Sequence, residues 1–113
     1  MIEVTFVHKH SEERIIDLLC AGLEGGIFYW STVSLGGGND WYDIKNPEWK
    51  IIIDDIEQDV KGLELNFEKL KTGFNIMSKN FVNHYKNFLE EDEDAITGDV
   101  FVQCCLFKDV IYG

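Results

Sequence analysis

The sequence has no run of eighteen apolar residues and no charged-then-apolar leader, so neither a membrane span nor a secretion signal is expected, and the cytosol is the default compartment. Basic residues are scarce. Ten Lys and Arg stand against 21 Asp and Glu, a formal charge of −11. Such a charge repels nucleic-acid phosphates and anionic membrane surfaces, and it fits a basic partner. The cysteines, Cys20, Cys104 and Cys105, are odd in number. Vicinal cysteines rarely pair, so free buried thiols are expected rather than a disulfide framework.

Motifs that carry chemistry are also missing. Asp54, Asp55, Glu57 and Asp59 lack the glycine turn and closing glutamate of a cation-binding loop. The triplet Gly36, Gly37, Gly38 lacks the lysine and the helix start of a phosphate-cradling loop. Cys20 and Cys104 fall in apolar runs, where a thiol stays protonated, which argues against a nucleophile served by His84. An enzyme is therefore not expected.

At 113 residues the chain is long enough for one two-layered core, so residues 1–113 form a single domain. Its organising stretch is residues 18–30. Ile15, Ile16, Leu19, Cys20 and Leu23 recur at three- and four-residue spacing, the pattern of one helix face. Gly25 and Gly26 supply a helix stop with positive φ, and Ile27, Phe28, Tyr29 and Trp30 suit a strand. This block reads as the nucleus of the core.

In chain order, Ile2, Val4 and Phe6 alternate with Glu3, Thr5 and Val7 as an opening strand ending near His8. Ser11 caps a helix over 12–24, with Glu12 and Glu13 in its first turn. A loop over 36–49 carries Trp41, Tyr42 and Trp49, which either fold back over the core or stand as contact anchors. Residues 49–53 and 63–67 form a hairpin with a long acidic turn. The stripe Leu70, Phe74, Met77, Phe81, Tyr85 and Phe88 predicts a long helix from Phe67, which Gly73 weakens by about 1 kcal/mol and the acidic run from Glu90 to Asp94 ends. A helix over 97–107 competes with a strand reading, and 109–113 reads as a short strand. The expected fold is α+β, a small antiparallel sheet with two to three helices packed on one face. The alternative is a mostly helical chain.

Two sets of side chains are candidates for recognition. Trp41, Tyr42 and Trp49 are anchors for a partner or stacking platforms for a base. Glu90, Glu91, Asp92, Glu93 and Asp94 imitate a phosphate backbone on the functional reading and merely solvate the protein on the bland one. His8 and His10 face the same side of a strand and, with Cys104 and Cys105, are the candidates for a structural zinc. No Cys-x-x-Cys or His-x-x-x-His pair supports that zinc, so no metal or other cofactor is assigned.

Leu23, Glu24, Gly25, Gly26, Ile27, Tyr29 and Trp30, together with Gly98, Asp99, Val102, Gln103, Leu106, Phe107, Ile111, Tyr112 and Gly113, resemble the two sequence blocks of a family of small proteins encoded by bacteriophages and prophages of Gram-positive bacteria. About a third of the chain is covered, and Lys108 stands where that family carries a glycine after Phe107. The resemblance implies a phage accessory protein acting in the host bacterial cytoplasm, and it names no molecular target. By analogy with other small acidic phage proteins, the expected function is that of an anti-CRISPR inhibitor. It would bind a basic Cas nuclease and block nucleic-acid loading, with no direct contact to nucleic acid or membrane and with self-association open. The alternative is a sponge that sequesters a nucleotide immune signal.

Overall fold

The computed structural model describes residues 2, 7–35 and 43–113. The helix α1 (Glu12–Ala21) runs into a π-helical turn (Gly22–Gly26), followed by strands β1 (Ser31–Leu35), β2 (Lys50–Asp55) and β3 (Val60–Asn66) and helices α2 (Phe67–Asn80), α3 (Val82–Leu89) and α4 (Ala95–Phe107). The sheet is an antiparallel meander in the order β1-β2-β3. The architecture is thus α+β, as expected. The opening strand falls mainly on residues 3–6, and the glycine loop 36–40 with Trp41 and Tyr42 follows β1; all of these lie outside the described residues.

The hub is α4. Nine consecutive residues from Thr97 to Cys105 are buried, and the helix packs against α1, the π-helical turn, α2, α3 and β3. A helix enclosed on every side has no polar face, so its apolar residues show no 3.6-residue stripe; this is why a strand reading competed for 97–107. Asp94 caps its start by accepting from Thr97 N at 2.9 Å. Lys108 ends it in the left-handed region at φ 60°, donating its N–H to the Cys104 carbonyl at 3.1 Å.

Close approach on or against α4 explains four glycines. A Cβ on Gly22 would lie 2.8 Å from the Gly98 carbonyl oxygen, and one on Gly98 would collide with Gly22 N. On Gly73 a Cβ would strike Cys105 Sγ, so this glycine is the point at which α2 and α4 touch. Gly25 and Gly26 are outside the left-handed region, contrary to expectation. Gly26 is needed because a Cβ there would meet the Ala95 carbonyl.

Four expected elements differ. The helix over 12–24 is regular only to Ala21 and then widens into the π-helical turn that seats Gly22 on α4. Residues 27–30 form a turn, not a strand, and β1 begins one residue later at Ser31. The single long helix is two, because Phe81 (φ −132°, ψ 56°) breaks it, which brings the helix count to four. Phe74 and Phe88 would stand about 21 Å apart along one straight helix. Folding back at Phe81 brings their rings to 5.4 Å. The C-terminal segment is also not a strand: the Gln103 side chain takes the place of a neighbouring strand, its Oε1 accepting from Ile111 N at 2.8 Å and Tyr112 N at 2.9 Å.

Candidate functional site

The acidic run is folded into a fixed corner between α3 and α4. Glu90 N donates to the Lys86 carbonyl, Glu91 N to that of Phe88 and Asp92 N to that of Asn87, and Glu91 takes a left-handed φ of 58°. Its last two residues are anchors. The Glu93 side chain is only 8% exposed and ion-pairs with Arg14 at 2.6 Å. Arg14 is further held by Asp17 at 2.9 Å, by the Phe88 carbonyl at 2.7 Å, and by its position 4.7 Å over the Phe88 ring. The hydrogen bond to Glu93 raises the Arg14 pKa, consistent with a guanidinium that stays charged. Asp94 is the α4 cap, and the Thr97 backbone N–H holds its carboxyl below the ordinary range.

The run therefore divides. Glu90, Glu91 and Asp92 are exposed at the tip, whereas Glu93 and Asp94 serve the fold. The acidic turn after β2 divides in the same way. Asp55 is buried and accepts from Tyr112 Oη at 2.7 Å and from Glu57 N and Gln58 N, each at 3.0 Å, while Glu57 and Asp59 are exposed.

Of the three aromatic residues expected to bind a partner, Trp41 and Tyr42 lie outside the described residues, and Trp49 is a core residue, 4% exposed. This corrects the anchor assignment for Trp49. Burial removes most of its large apolar area from water, which makes it a packing residue first. The candidate zinc ligands are also parted. His8 Nδ1 and His10 Nε2 do face the same way, but both lie 2.8 Å from Tyr85 Oη. Cys104 and Cys105 sit inside α4, where burial pushes the Cys104 thiol up to about 12 and that of Cys105 well above its ordinary value. Among the described residues no three His, Cys, Asp or Glu side chains gather to hold a metal ion.

A buried polar node went unrecognised in the sequence. Asp99 accepts from Tyr29 Oη at 2.6 Å, Trp30 Nε1 at 2.8 Å and Gln103 Nε2 at 2.9 Å, and Trp30 stacks on Tyr112 at 5.2 Å. Residues 29–30, α4 and the C-terminal segment are tied at this point. The available signal was a carboxylate and an amide four residues apart inside an otherwise apolar run. Because 27–30 is a turn, Phe28 remains 54% exposed and walls an open groove of about 510 Å³, floored by Leu23, Val33 and Ile51. No protein-family model, curated protein or solved structure matches the chain.

Proposed function

We propose that this is a phage-encoded anti-defence protein that acts in the host bacterial cytoplasm as an anti-CRISPR inhibitor, occupying the basic nucleic-acid channel of a Cas nuclease so that nucleic acid cannot load. The observation that carries this reading is the acidic corner, where Glu90, Glu91 and Asp92 project from a turn whose ends Glu93 and Asp94 fasten. A backbone turn already held in place loses little freedom on binding, so more of the attraction of its carboxylates to a lysine- and arginine-lined channel appears as affinity. The net charge of −11 adds a long-range pull toward a basic surface.

Plasmid cleavage by a guide-loaded Cas nuclease tests the reading. The protein should inhibit cleavage when added before the DNA and lose that effect when added after the DNA has bound. Equal inhibition in both orders contradicts blocked loading, and cleavage unaffected in either order contradicts Cas inhibition.

A further inference from the structure

Residues 7–10 lie against α2 and α3, where His8 and His10 stack on aromatic rings and share a single oxygen of α3. The His8 ring stacks on Tyr85 at 5.6 Å, and the His10 ring stacks on Phe74 at 5.0 Å with its edge toward Phe88 at 4.9 Å. Both imidazoles present a nitrogen to Tyr85 Oη at 2.8 Å. A phenol carries one proton, so it donates to one imidazole nitrogen and accepts from the other, which must bear hydrogen.

One added proton suits this chain, because a charged imidazole donates to the hydroxyl and the hydroxyl donates to the neutral ring. A second proton does not. It leaves the hydroxyl with no acceptor in the pair and sets two cationic rings 6.3 Å apart. The other charged groups do not relieve this. Arg14 on α1 adds a third positive charge, already engaged by Asp17 and Glu93; Lys9 is exposed; α2 and α3 otherwise contribute the uncharged rings of Phe74 and Phe88. Burial, then His8, then Arg14 lower the His10 pKa from its ordinary value.

We propose that His8, His10 and Tyr85 form a proton-operated clamp, which fastens residues 7–10 to α3 while no more than one imidazole is charged and releases them when both are. Release uncovers the aromatic face of Phe74, Tyr85 and Phe88. The clamp operates whether or not the protein inhibits a nuclease.

Imidazole NMR of the full chain, titrated from pH 7.5 to 5, tests it. The rings should take up protons in two steps. Contacts from His8 and His10 to the Tyr85 ring should vanish with the second step, the clamped-to-released ratio falling by about tenfold per pH unit below it, the slope of a one-proton linkage. In His8→Gln, where the amide oxygen can accept from the hydroxyl, the His10 contacts should persist to pH 5. In Tyr85→Phe the contacts should be weak at every pH. Wild-type contacts that survive at pH 5, or a His8→Gln variant that releases at the wild-type pH, would overturn the clamp.

Discussion

Trp30 Nε1 donates to Asp99 Oδ1 at 2.8 Å across 69 positions of sequence, inside a site where Asp99 is 7% and Trp30 0% exposed. Asp99→Ala would leave the indole N–H, the Tyr29 hydroxyl and the Gln103 amide without their shared acceptor. The indole N–H is the donor left buried and unsatisfied, because Tyr29 is 51% exposed and Gln103 Nε2 also donates to the Tyr112 carbonyl at 3.2 Å, so a loss of about 1–3 kcal/mol is expected. Asp99→Asn, which keeps one acceptor oxygen, should lose clearly less. Urea midpoints at unchanged m-value measure both variants.

At Gly73 helix propensity and packing make opposite predictions. Alanine is better in a helix by about 1 kcal/mol. Its Cβ would strike Cys105 Sγ, however, and forced overpacking costs about 1–3 kcal/mol, so Gly73→Ala should be net destabilising. A melting temperature above that of the wild type would mean that α2 and α4 are farther apart than described.

Lys108 occupies the left-handed position that closes α4, at φ 60° and ψ 20°. A side chain there is strained and glycine is not, so Lys108→Gly should stabilise the protein by about 1 kcal/mol, read as a rise in thermal midpoint.

The hydroxyls of Tyr29 and Tyr112 are pushed up from 10 to about 12, by burial first and then by hydrogen bonds to Asp99 and Asp55. The folded protein thus holds these protons more tightly than the unfolded chain. Their contribution is complete below pH 10 and is lost as pH rises from 10 toward 12. Phenolate absorbance should show these two hydroxyls titrating late. Asp99→Asn should bring Tyr29 down, whereas a Tyr29 titration unchanged in that variant would contradict the assignment.

What the sequence revealed depended on whether each element had one polar face. The amphipathic stripes of α1 and of α2 with α3 were legible, and so was the apolar run that supplies β2, though not which of its three isoleucines are buried. Enclosed α4 lacked such a stripe. The break at Phe81 has no proline or glycine to mark it and follows from tertiary packing of Phe88 on Phe74. The acidic run was visible as charge, but its division was not, because that depends on Arg14 reaching Glu93 across 79 positions. Trp49 illustrates the same limit, since composition does not distinguish a buried indole from an exposed one.

The acidic corner is the centre of the functional account, and its most direct test is the rate of association with a guide-loaded Cas nuclease at low and high salt. For the wild type the rate should fall steeply as salt rises. Changing Glu90 and Glu91 to Gln and Asp92 to Asn should slow association by about tenfold or more at low salt with little change in the thermal midpoint, because the pairs of Glu91 with Arg14 at 4.0 Å and of Glu90 with Lys86 at 3.9 Å are long and exposed. A variant that associates as fast as the wild type would contradict the account, as would a wild-type protein that does not associate at all.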